Sequence, residues 1–191
     1  GAAAAMRPHG PIGLIWVDAH MDAHTPKTSE SGNIHGMPLA HLLGIGEPEL
    51  TQIADKQPKL LPENLVLIGI RSFEPGEEKL LTSLGVKIFY MDEIQTRGIE
   101  AVLSDAYTLV TQHTTHFGMS IDLDGFDPLD APGVGTPVAS GINSQEFIQS
   151  LAKLDKRHSL GLEIAEFNPN RDQNQLSERL IIQLIEAYFN G

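Results

Sequence analysis

Two short acidic segments carry most of the chemistry open to this sequence. Asp18-Ala19-His20-Met21-Asp22 follows the apolar run Ile12–Val17 directly. Side chains alternate along extended backbone, so positions 18, 20 and 22 would project to one side and set a carboxylate, an imidazole and a second carboxylate around one point. Asp122-Leu123-Asp124 follows the apolar run Phe117–Ile121 with the same spacing, and Gly125, Asp127 and Pro128 then turn the chain. Four carboxylates brought to one spot repel one another unless cations neutralise them, so the pattern asks for metal. The chain has no cysteine, which removes disulfides, thiolate zinc sites and thiol catalysis. A sulfur-free set rich in carboxylate, with imidazole, suits Mn²⁺ or a similar ion. There are more carboxylates than one ion needs, which points to two ions roughly 3.5–4 Å apart. A calcium loop of the EF-hand kind is excluded, because it needs glycine at its sixth position and glutamate at its twelfth. Counted from Asp122, Gly125 falls fourth and Gly133 twelfth.

These segments need a scaffold, and the hydrophobic pattern describes one. Ile12–Val17, Asn64–Ile70, Val86–Tyr90, Phe117–Ile121 and Leu160–Ile164 are short apolar runs of the kind buried on both faces of a sheet. Between them, Pro75–Leu84 starts with proline and is closed by Gly85, and Ile99–Val110 and Ser144–Leu154 carry apolar residues at helical spacing. Leu176, Leu180, Ile181, Leu184, Ile185 and Tyr188 mark a final amphipathic helix. Strands alternating with helices predict an α/β fold, a mostly parallel sheet with helices on both faces. Both acidic segments then lie at carboxyl ends of strands, where such sheets place ligands. His113 and His116, beside threonines between a helix and a strand, are expected to be solvated. His9, His41 and His158 have no carboxylate company in the sequence and are expected to be structural or exposed.

Composition limits the partners. The 191 residues are 41% hydrophobic and 20% charged, ordinary for one folded domain. No apolar run approaches the ~20 residues of a membrane span. A net charge of −12 argues against nucleic acid as the main ligand and fits a small cationic substrate or metal ions. Gly1–Ala5 has neither the basic leader nor the apolar length of a signal peptide, so the expected location is cytoplasmic. It reads instead as the tail of a helix that begins outside this chain.

In order along the chain, Asp18-Ala19-His20-Met21-Asp22, Ser31-Gly32-Asn33-Ile34-His35-Gly36-Met37-Pro38, Ser120 through Pro128, Gly135-Thr136-Pro137-Val138 and Glu166-Phe167-Asn168-Pro169 resemble the signatures of arginases, in the ureohydrolase superfamily. The resemblance runs from about Gly13 to the last helix. It implies a three-layer αβα fold and a binuclear Mn²⁺ site, with Asp18 and Asp122 bridging the ions, His20 and Asp124 completing one shell and Asp22 binding the other ion. It further implies that a hydroxide held by both ions attacks a guanidinium carbon, with His35 shuttling the proton and Glu166 holding the guanidinium. Ser31 and His24 would meet the α-carboxylate of L-arginine, Glu74 its α-amino group, and Thr136 would also contact substrate. His24 stands where arginases usually carry asparagine and Glu74 where they carry aspartate, so a related guanidino-compound hydrolase such as an agmatinase is the alternative. An inactive metal-binding or oligomer-building fragment is another. The family's further metal-binding histidine, in a Gly-Gly-Asp-His segment upstream of the first strand, has no counterpart here. The chain is therefore read as a single ureohydrolase domain, 1–191, lacking its N-terminal strands and spanning the carboxyl-terminal two-thirds. As given, it is expected to bind one Mn²⁺ well and a second weakly. The resemblance also implies a homo-oligomer, a trimer or hexamer.

Overall fold

The computed structural model describes residue 8 and residues 10–190; His9 and the run at residues 1–5 lie outside the described residues. Five strands, β1 (Ile12–Val17), β2 (Leu65–Ile70), β3 (Lys87–Tyr90), β4 (His116–Asp122) and β5 (Ser159–Ala165), form one sheet in the order β3-β2-β1-β4-β5. Every neighbouring pair is parallel. The chain steps outward from β1 to β2 and β3, then crosses back to lay β4 on the other side of β1. The direction of winding therefore reverses between β1 and β4, and a crevice opens outside their carboxyl ends.

The helices are α1 (Pro38–Leu42), α2 (Pro48–Thr51), α3 (Pro75–Leu84), α4 (Met91–Arg97), α5 (Ile99–Thr111), α6 (Ser144–Lys153) and α7 (Leu176–Asn190). Alternation along the strands sorts the core into two layers. Ile15, Val17, Phe117, Met119 and Ile121 meet Ile94, Val102, Leu103, Phe147 and Leu184 of α4 to α7. On the opposite face Ile12, Trp16, Leu65 and Leu67 meet Leu39 of α1 and Leu81 of α3. The architecture is thus α/β in three layers. Gly13 shows how close the layers come: a Cβ there would lie 2.3 Å from the carbonyl oxygen of Val110, so only glycine lets α5 settle on β1. The α1 and α3 layer leaves an apolar groove of about 430 Å³ toward β4 and β5, lined by Leu14, Trp16, Leu42 and Leu162 among others. Among the described residues no helix is long and apolar enough to cross a membrane.

The pattern-based elements are found with ends moved by a residue or so. Three helices have no counterpart in the periodicity reading. The helix Met91–Arg97 follows β3 without a loop and buries only Met91 and Ile94, too short a stripe to register a period. Gly98, at φ 81°, separates it from α5. The helices Pro38–Leu42 and Pro48–Thr51 are each about one turn long and announced only by their prolines. His116 is no loop residue but the half-buried first residue of β4.

Phe117 is fully buried and packs edge-on against Tyr107, with ring centroids 5.3 Å apart. Phe117→Ala should cost about 3–5 kcal/mol of stability through the cavity it leaves. Urea unfolding measures this, and a loss below about 1 kcal/mol would mean that the α5–β4 contact is not part of the core.

Candidate metal centre

Register places the two acidic segments side by side. Val17 pairs with Ile121, so Asp18 and Asp122 emerge together at the carboxyl ends of β1 and β4. Asp18, Asp122 and Asp124 are 1%, 7% and 2% exposed. Each carboxylate is held by donors from its own neighbourhood. Trp16 Nε1 donates to Asp18 Oδ2 at 2.9 Å and the His20 amide to Asp18 Oδ1 at 2.7 Å. The Asp124 amide donates to Asp122 Oδ1 at 2.8 Å. Asp124 Oδ1 accepts from the Ala19 amide at 3.3 Å and its Oδ2 from the Thr136 hydroxyl at 2.9 Å. His20 Nδ1 lies 3.2 Å from Asp124 Oδ2 and 3.5 Å from Asp18 Oδ1. One ligand atom each from Asp18, His20 and Asp124 falls within 4.8 Å of the others, a spacing that one cation could bridge.

The strict alternation expected over residues 18–22 does not hold. Backbone bends at Ala19 and His20, and Asp22 takes a left-handed φ of 49°; Asp22, like Asp122, stands outside that close trio. Glu166 is likewise left-handed, at φ 62°. Non-glycine residues in this region are strained by about 1–3 kcal/mol, and such strain gathers at functional sites.

The electrostatics are those of an anionic cluster out of water. Burial, then the charges of Asp18 and Asp124, push Asp22 up to about 8. Burial and the same two neighbours push Asp122 up to about 9. Asp18 is raised as well, mainly by burial. Burial works against charge on His20, but the bonds to Asp124 and Asp18 outweigh it and carry the imidazole up to about 10. Burial opposes ionisation of Asp124 too, yet the bond to His20 leaves its carboxyl below the usual range. The cluster balances its charge with a proton on imidazole and protons on carboxyls, positions that a divalent cation would take over. Oxygen donors with one imidazole, fixed by second partners, fit a divalent metal ion.

Beside the cluster, a cavity of about 290 Å³ is lined by His20, Asp22, Asp122, Asp124 and Glu166, and also by His24, Ser31, His35 and Glu74. His35 and Ser31 are exposed on the loop that closes one side. His24 is engaged: its Nε2 lies 2.9 Å from Glu74 Oε2 and 3.4 Å from Glu77 Oε2, and its Nδ1 lies 3.2 Å from the Thr28 hydroxyl. Thr136 reaches the cavity with the same hydroxyl that supports Asp124. Glu77 is a site residue that sequence reasoning passed over. It is 3% exposed and accepts from the amides of Ala23 and Glu74, each at 3.0 Å. The signal for it was present in Glu74-Pro75-Gly76-Glu77, whose spacing is that of a helix capping box. His41 needs a correction: it does have a carboxylate partner, Glu47 Oε2 at 2.8 Å from Nε2, in a clasp between α1 and α2.

Stability should follow the protons. A carboxyl raised from 3.8 to about 8, as at Asp22, weakens the fold as pH climbs through that window. His20, raised from 6.5 to about 10, stabilises below 6.5, and that contribution is lost as pH rises to about 10. Both act in the same direction, so the metal-free chain should lose Tm between about pH 6 and pH 9, and saturating Mn²⁺ should remove the decline. Thermal melts across that range test it; a metal-free Tm that holds steady or rises with pH would contradict it.

Comparison with known proteins gives the family and agrees with the fold. The Arginase family model matches residues 1–190. Arginase from Bacillus caldovelox is 42% identical over 179 residues, covering 93% of this chain and 60% of the relative. Arginase from Bacillus subtilis is 41% identical over 177 residues, covering 92% and 60%. The chain thus spans about 60% of the length of the curated relatives it matches. Among solved structures, the Bacillus caldovelox arginase superposes with a TM-score of 0.93 at 40% identity, covering 100% of this chain and 64% of that one. A Bacillus subtilis arginase superposes at 0.95 and 39% identity, covering 100% and 66%. With sheet order, ordered motifs and relatives in agreement, the chain belongs to the arginase family.

Proposed function

We infer that the protein hydrolyses a guanidino group at a binuclear manganese site, with L-arginine the substrate and L-ornithine and urea the products. One observation carries the reading: the Asp18, His20 and Asp124 cluster adjoins a cavity that Glu166, Ser31, His24 and Glu74 also line. Such a lining of carboxylates, imidazole and hydroxyl suits a molecule that carries both a cationic plane and a charged head. Asp18, His20, Asp22, Asp122 and Asp124 would hold the ions. Bound, they would supply a water acidic enough to react near neutral pH.

The chain's own groups divide the remaining work. Glu166 offers two oxygens to a planar guanidinium, a match of fork to fork. His35, which lines the cavity, donates a proton to the departing amine, a role in which imidazole is the side chain most often used. Thr136 keeps Asp124 turned inward by its hydrogen bond. Ser31 and His24 face the α-carboxylate, and Glu74 the α-amino group.

A second reading has an observation in its favour. His24 is already held by Glu74 and Glu77, so an incoming carboxylate must compete with two glutamates for one imidazole. An amine without a carboxylate meets no such competition, which suits agmatine or a related guanidino compound. Urea release by the intact protein with Mn²⁺, measured on L-arginine and on agmatine, decides between them. The arginase reading expects a higher kcat/KM on L-arginine; a preference for agmatine would replace it while keeping the hydrolase. On L-arginine, His24→Ala should raise KM with little change in kcat, the mark of lost binding common to ground and transition states. An unchanged KM would make His24 a bystander.

A further inference from the structure

Outside the ligand set, Arg71 has an unusual set of partners. It follows β2 directly, and every hydrogen bond from its guanidinium ends on a backbone carbonyl. Nε donates to Ala139 at 3.1 Å, and Nη1 to Gly69 at 3.1 Å and Gly125 at 3.2 Å. Nη2 donates to Asp124 and Val138, both at 2.8 Å, and to Phe126 at 3.3 Å. Three segments meet at one side chain: the end of β2, the turn that carries Asp122 and Asp124, and the loop that carries Thr136. The main chain at this point holds a fourth, because the amides of Arg71 and Ser72 donate to the carbonyl of Ala19 at 2.9 and 3.0 Å, between Asp18 and His20.

The backbone is shaped to aim this side chain. Register between β2 and β3 slips at Gly69, where Ile68 and Ile70 pair with the consecutive residues Phe89 and Tyr90. Gly69 has φ 95°, and a Cβ there would meet the Asp18 carbonyl oxygen at 3.0 Å. Bulges of this kind re-aim side chains next to active sites.

We propose that Arg71 is a positioning residue: its guanidinium locks the Asp122–Asp124 turn and the Thr136 loop against the Asp18–His20 segment, and so sets how tightly the centre holds metal. This rests on the metal reading above. Lysine cannot replace it, since an ammonium has three donors where the planar guanidinium spreads five in a fixed fan. Its positive charge also sits beside Asp124, Asp127 and Asp18.

Calorimetric Mn²⁺ titration, well below Tm, of wild type, Arg71→Lys and Arg71→Met provides the test. Lys59→Met is the control. The Lys59 ammonium is also caged by carbonyls, those of Thr51, Asp55 and Gln57 at 3.0, 2.9 and 2.7 Å, but it serves a loop near the start of β1. Both Arg71 variants should weaken Mn²⁺ binding by roughly 10–100-fold, the usual effect of losing a partner outside the ligands themselves. Lys59→Met should lower Tm and leave the Mn²⁺ affinity at the wild-type value. Wild-type affinity in Arg71→Lys, or in Arg71→Met, would overturn the proposal, and so would an equal loss in the control. Should Arg71→Met fail to fold, the Arg71→Lys comparison decides alone. A wild-type protein that takes up no Mn²⁺ would overturn the metal reading and this inference together, whereas wild-type binding with unaffected Arg71 variants would overturn this inference only.

Discussion

Burying several carboxylates at one point is the constraint around which this molecule is arranged. Asp18, Asp122 and Asp124 are removed from water at adjacent strand ends, with Asp22 close enough to feel their charge. Such a cluster is costly unless protons or cations take up its charge. Backbone amides, an indole and a threonine hydroxyl orient the oxygens, but these are neutral donors, and the balance falls to His20, to the nearby Arg71 guanidinium and to protonated carboxyls. The arrangement is coherent as a site kept ready for a divalent ion. As core packing it would be a poor design, since similar volume in apolar side chains would be more stable.

Much of the surrounding fold serves to hold that point still. Reversal of winding between β1 and β4 brings two sequence segments over a hundred residues apart onto neighbouring strand ends. The α4 to α7 layer fixes the sheet from behind through Phe117, Phe147 and Leu184, so strand register and hence the Asp18–Asp122 juxtaposition rest on an apolar core. Asp22 and Glu166, two of the six described non-glycine residues in left-handed backbone, are the ones that line the site cavity. Lines of backbone bonding from Arg71 tie the loops together at the top of the sheet.

The sheet, its main helices and the Asp18, His20 and Asp124 cluster were legible because each has a local signature. Buried parallel strands are continuous apolar runs, helices of ten or more residues show their period, and ligands cluster where strands end. What escaped has no such signature. The helix Met91–Arg97 buries too few residues to show a period. The bend after Asp18 defeats any argument from strand alternation, because it depends on the Ala19 carbonyl bonding to Arg71 and Ser72 across the sheet. The partners of His24, His41 and Arg71 are contacts between distant segments, or between a side chain and backbone, and sequence spacing carries no trace of them.

A divalent ion entering this cluster would have to displace the protons held there. Calorimetric Mn²⁺ titration at pH 7 in buffers of differing ionisation enthalpy measures how many protons leave as the ion enters. With His20 raised to about 10, Asp122 to about 9 and Asp22 to about 8, uptake should expel protons at pH 7, with the release shrinking as pH rises past these values. Asp122→Asn should reduce the release. Mn²⁺ binding with no proton release at pH 7, or no binding at all, would contradict the account.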